Sequence, residues 1–149
     1  MATYYSSDLE WLILRKNNAF IHKRVAEGPI FSREPGNLVN IHSHKYSGLA
    51  NSKSIDIQPT ASGAIKITHR APGASPHAVA SARKTTVIRP RTGGRRALGI
   101  GAGLAKQGYR ADVRAQTLAR TSRLVEAQKE PKADLPKKVR GKKAVNGPV

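Results

Sequence analysis

The chain has 149 residues with 27 Lys+Arg against 9 Asp+Glu, a formal net charge of +18, and no cysteine. That balance points to a polyanionic partner, and the missing cysteines exclude disulfides, Cys-type zinc sites and thiol catalysis. Leu, Ile, Val and Phe make up about 21% of the residues, close to the composition at which strongly charged chains stop folding alone.

The first sixteen residues, MATYYSSDLEWLILRK, lack the basic-then-apolar order of a secretory signal. No run approaches the roughly 20 apolar residues that span a bilayer. The expectation is a soluble intracellular protein with no membrane partner. Ser7-Asp8-Leu9-Glu10 fits a capping box, Ser7 at the N-cap and Glu10 three positions on. Leu9, Leu12 and Ile13 share one face of the helix so begun, Trp11 and Leu14 widen it, and Asn17-Asn18 stops it. A helix so apolar is expected to be buried.

Short β-type pieces follow at 20–25 and 30–33, separated by the turn Glu27-Gly28-Pro29. The clearest pair is SIDIQPTASGAIKIT, in which Ile55 and Ile57, then Ile65 and Ile67, alternate with polar residues. This period of two predicts an antiparallel hairpin with one buried face. Residues 71–82, rich in Pro, Gly and Ala, read as a linker, and RKTTVIRP as a short strand or extended segment.

The stretch RPRTGGRRALGIGAGLAKQGYR (89–110) holds six glycines, six cations and no acid. It leaves room for helical turns but not for a helix stable in isolation, each interior glycine costing about 1 kcal/mol relative to alanine. A helix is predicted over 110–129, with a stripe of Ala111, Ala115, Leu118 and Val125. The final basic tail, 131–149, reads as disordered when free.

The chemistries that could use these residues are mostly excluded. The glycine run matches neither the phosphate loop G-x-x-x-x-G-K-[ST] nor the dinucleotide spacing G-x-G-x-x-G. His42 and His44 stand two apart but lack further ligands, so no metal is expected. No Gly-x-Ser-x-Gly elbow occurs. The reading is of a non-enzyme with no cofactor and no small-molecule substrate.

Charge is distributed in segments: +2 over residues 1–60, +10 over 61–110, +6 over 111–149. A near-neutral head before a basic extension is the asymmetry of a chain that folds at one end and binds nucleic acid at the other. The candidate RNA contacts in the head are Arg15, Lys16, Lys23, Arg24 and Lys45. In the extension they are Arg83, Lys84, Arg89, Arg91, Arg95, Arg96, Arg110 and Arg114. Tyr46 beside Lys45, and Tyr109 beside Arg110, offer stacking with charge. His42, His44 and Asn37 complete the set. The glycines would let the backbone approach phosphate closely.

Three segments together carry a resemblance: LEWLILRKNNAFIHKR (9–24), FSREPGNLVNIHSHKYSGLANSKSIDIQP (31–59) and RKTTVIR (83–89). The step Glu34 to Leu38, followed by Lys-Tyr-Ser-Gly-Leu at 45–49, is the most specific part. Tyr109 to Arg114, at the opening of the second predicted helix, fits as well. In that order the chain resembles the eukaryotic large-subunit ribosomal protein family of number twenty-eight (e-type). The resemblance implies a structural component of the cytosolic large subunit, contacting ribosomal RNA and neighbouring ribosomal proteins, with nucleolar transit during assembly. It implies no homo-oligomer.

The expected architecture is α+β. It comprises a small domain of helix plus antiparallel sheet over 1–70, a basic Gly/Pro-rich extension over 71–109, a basic helix over 110–130 and the tail. The alternative is a nucleolar or chromatin-associated nucleic-acid-binding protein outside the mature ribosome.

Overall fold

The structure, a computed structural model, describes residues 6–75, 77–130 and 132–135. The tail expected to be disordered, residues 131–149, lies outside the described residues apart from 132–135.

Two antiparallel sheets form. β1 (Ile21–Lys23) pairs with β2 (Ile30–Ser32), Ile21 opposite Ser32. β3 (Ile55–Pro59), β4 (Ile65–Arg70) and β5 (Arg83–Ile88) form a three-stranded sheet in that order. Ile57 stands opposite Ile67, and Ile65 opposite both Pro59 and Ile88. The alternation read from the sequence is what seats this sheet: Ile55, Ile57, Ile65, Ile67 and Ile88 all face inward and are at most 3% exposed. Burying each such side chain is worth roughly 1.5–3 kcal/mol.

Helix α1 (Ser7–Leu14) lies against the loop that carries His42 and His44. Helices α2 (Gly94–Gly101), α3 (Gly103–Lys106) and α4 (Arg114–Ala127) lie on the inward side of the sheet, with a 3-10 turn over Ala111–Val113 leading into the last. Leu38, Ala97 and Val113 join the five isoleucines in one core. The α+β class holds. The boundary expected at residue 70, however, falls between two paired strands. β5 completes the sheet, and Ile88, Ala97 and Val113 supply core that residues 1–70 do not hold.

Three local expectations are corrected. The glycine run is helical, because α2 and α4 approach so closely that a Cβ on Gly101 would collide with the Thr121 side chain. Packing against α4 thus offsets the helix cost of that glycine, and its role is helix–helix contact.

The buried stripe of α4 differs as well. Thr117 and Thr121 are fully buried while Ala111 and Ala115 are exposed. Each threonine hydroxyl donates to a carbonyl one turn back, Arg114 O and Thr117 O, both at 2.7 Å. With its hydroxyl satisfied inside the helix, threonine presents a methyl group to the core.

In α1 the N-cap is Ser6, whose Oγ accepts from the Asp8 amide at 3.3 Å, one residue before the expected Ser7. The helix ends at Leu14, before Asn17-Asn18. It contains no buried residue.

Candidate nucleic-acid interface

The platform beneath the cationic surface is a clasp built from the loop after β2. The Glu34 carboxylate is 4% exposed. It accepts from Asn37 Nδ2 at 3.1 Å, Ser47 Oγ at 3.3 Å and the Gly48 amide at 3.2 Å. Asn37 Nδ2 also donates to Ile41 O at 2.9 Å, and its Oδ1 accepts from the amides of Val39 and Asn40. At Gly48 a Cβ would run into the Pro35 carbonyl and the Gly36 main chain. The two most specific stretches of the sequence, Glu34–Leu38 and Lys45–Leu49, are therefore two halves of one structural joint. Asn37, expected as an RNA contact, organises this joint from a buried position with its side chain engaged inside the protein.

Arg110 fastens the helical half to this joint. Its Nε and Nη2 grip the Asp112 carboxylate at 2.8 Å each, Nη1 donates to Lys53 O and Nη2 to Lys45 O, both at 2.8 Å. The guanidinium holds the Asp112 carboxyl below its ordinary range. Arg110 is thus a strut with four of its five N–H donors engaged within the protein.

The two tyrosines expected to stack on bases also point inward. Tyr109 donates its hydroxyl to Arg70 O, sets its ring edge-on to His69 at 5.7 Å and packs on the core. Burial pushes its phenol up and, with Lys84 nearby, holds the His69 imidazole down. Tyr46 packs on the core and accepts from Gln116 Nε2 at 3.0 Å. His42 and His44 lie against Trp11, with ring centroids 4.9 and 5.7 Å away. These aromatic and imidazole side chains are spent on internal packing.

The remaining candidates are on the surface. Arg15, Lys16, Lys23, Arg24 and Lys45 are exposed, as are Arg83, Lys84, Arg89, Arg91, Arg95, Arg96 and Arg114. Among the described residues, none of the cations from Arg83 to Arg96 pairs with a carboxylate. Arg95 and Arg96 sit in the first turn of α2, which carries no acid and no side-chain cap. Cations there oppose the helix dipole, so the arrangement favours an anion at that end. Lys66, Lys106 and Arg123 extend the exposed set. Sequence reasoning passed over them because each stands singly, although the period of β4 already turns Lys66 away from the core.

The open face of the larger sheet forms a cleft of about 380 Å³ whose lining includes Pro35, Gly36, Asp56, Lys66, Arg70 and Arg83. Burial raises the Asp56 carboxyl, which accepts from Gln58 Nε2 at 2.8 Å. Beside Asp56, no second carboxylate lines this cleft among the described residues. Among the described residues, no three His, Cys, Asp or Glu side chains gather to hold a metal, and no helix is long and apolar enough to cross a membrane.

The model of the Ribosomal L28e protein family matches the sequence over residues 9–127. The chain belongs to that family. It is similar to the large ribosomal subunit protein eL28 of Schizosaccharomyces pombe, 32% identical over 129 residues, covering 85% of this chain and 96% of the relative. The eL28 of Caenorhabditis elegans is 34% identical over 116 residues, covering 78% and 90%. That of Dictyostelium discoideum is 52% identical over 52 residues, covering 35% and 38%. The L28e match runs from α1 to the last residue of α4, taking in the clasp, both sheets and the cationic surface.

Proposed function

We propose that this protein is a structural constituent of the large ribosomal subunit of the eukaryotic cytosol, holding ribosomal RNA through the exposed cations of β5, α2 and their connection. The single observation that supports this reading most is the unpaired cluster from Arg83 to Arg96, presented on a rigid sheet and helix by a member of the L28e family. Arginine's planar fork can hold one phosphate by two parallel hydrogen bonds. Arg83 and Lys84 lie on β5 and Arg95 and Arg96 on α2, so the backbone spacing of these four is set by the fold, with Arg89 and Arg91 in the connection between them.

The tyrosines and histidines face inward, and this shifts the mode of recognition. Binding rests on phosphate contacts and on the shape of folded RNA, not on stacked bases. The protein works as a scaffold without catalysis, its neighbours being ribosomal RNA and other large-subunit proteins. Its assembly would take it through the nucleolus.

Sucrose-gradient sedimentation of a cell lysate, before and after a high-salt wash, tests this reading. The expected result is signal in the large-subunit, monosome and polysome peaks that survives the wash. Signal confined to light fractions, or stripped by salt, would overturn it in favour of a nucleic-acid binder outside the ribosome.

A further inference from the structure

α1 is turned inside out relative to its sequence. Trp11 lies against His42 and His44, and the half-buried Leu14 shares its side of the helix. Three to four residues make one turn, so Leu9, Leu12 and Ile13 fall on the opposite side. They are 55%, 58% and 63% exposed. The helix is held in this attitude. His42 Nε2 lies 2.9 Å from Arg15 O at one end, and His44 Nδ1 lies 3.5 Å from the Asp8 carboxylate at the other. Phe20, Val25, Phe31 and Ile41, from the β1–β2 hairpin and its flanks, are also exposed. Seven of the ten large apolar side chains exposed among the described residues thus fall between Leu9 and Ile41. A concentration of that kind marks an interaction surface.

Resting on the ribosomal reading above, we propose that the outer face of α1 docks another protein of the large subunit. The occupant is a basic segment whose aliphatic side chains cover Leu9, Leu12 and Ile13, with lysine or arginine beside Asp8 and Glu10.

Charge selects this occupant. α1 carries two acids and no base, whereas the chain as a whole is at +18. Asp8 and Glu10 repel phosphate, and the aromatic ring that could have stacked on a base, Trp11, is already covered by the two imidazoles. RNA has little to offer three aliphatic side chains. A second copy of this chain fits poorly too. Three half-exposed side chains present only about 200–300 Å², against roughly 800 Å² per partner in a stable pair. A small apolar face suits a component whose other contacts, to RNA, already fix it in place.

A photo-reactive diazirine analogue of leucine at position 12 of the full chain tests the proposal. It is placed in salt-washed large subunits and irradiated, and the adducts are identified by peptide mass spectrometry. The expected adduct is to one other subunit protein, at a peptide bearing lysine or arginine close to the linked site. Leu9→Asn with Ile13→Asn should lower its yield at least tenfold. The purified variant should keep the circular dichroism and RNA affinity of the parent.

Adducts to RNA, to a second copy or to residues 131–149 of the same chain would overturn the proposal. So would the lack of any adduct from a protein that sediments with the subunit. If the protein is missing from subunit fractions altogether, the ribosomal reading fails and takes the proposal with it, an outcome the gradient registers before any irradiation. The analogue probes the otherwise unsubstituted face directly, so the test stands whether or not the double variant folds.

Discussion

The region from Ser7 to His44 and the region from Arg83 to Arg123 share one fold and turn opposite chemistry outward. The first carries five basic and four acidic residues, the second eleven basic and one acidic. The first exposes seven large apolar side chains beside its few cations, whereas the second exposes mainly arginine and lysine, with Val87 its one large apolar side chain among those exposed in the described residues. Both are anchored to the same platform. The Glu34 clasp fixes the loop that carries the histidines under α1, and Arg110 ties the helical region to the backbone of Lys45 and Lys53. Net charge alone announces a polyanionic partner. Its uneven placement is what the proposal of two kinds of neighbour rests on.

The largest expected effect comes from breaking what the two regions share. Gly48→Ala would drive a methyl group into the Pro35 carbonyl and Gly36 main chain, neither of which can rotate away. It should cost about 3 kcal/mol in urea-unfolding free energy and impair both surfaces together. Gly101→Val acts on one region only. It should push α2 off Thr121, lower stability by about 2 kcal/mol and weaken RNA binding more than the α1 contact.

Arg95→Gln with Arg96→Gln separates charge from fold. In anisotropy titrations against an RNA fragment, the slope of log K on log salt should shrink by about 1.5. Unfolding free energy should stay within about 0.5 kcal/mol of the parent. An unchanged slope would remove α2 from the RNA surface.

The smallest effect concerns the strut. Arg110 holds Asp112 below its ordinary value of 3.8, so the stability this pair lends is present above that value and is lost as pH falls through the folded one. Asp112→Asn should flatten the acid limb of the stability–pH curve by slightly lowering stability above that value, the pair being partly exposed, and leave stability below the folded value unchanged.

Period and β-branching made the sheet legible. Isoleucines two apart on strands β3 and β4 admit one reading, and the structure buries all four. The helical region was harder to read, because tertiary contact decides it. Gly101 resembles any loop glycine until Thr121 is placed against it, and Thr117 and Thr121 look polar until their hydroxyls turn back onto the helix. The same ambiguity touches the candidate contacts. Arg95 and Arg110 are alike in sequence, yet one stands free and the other spends its donors on Asp112, Lys45 and Lys53. Tyr46 and Tyr109 sit beside cations as base-stacking residues would, but the apolar ring finds the core first. The outward face of α1 was legible as an apolar stripe and misread as buried. Amphipathicity records that a face will be covered without recording by which molecule.

The most direct test of this division is ultraviolet cross-linking of purified large subunits, with peptide mapping of the RNA-linked residues. RNA adducts are expected on peptides spanning Arg83 to Arg96 and absent from the peptide spanning Ser7 to Leu14. Adducts on the α1 peptide, with none between Arg83 and Arg96, would contradict the account.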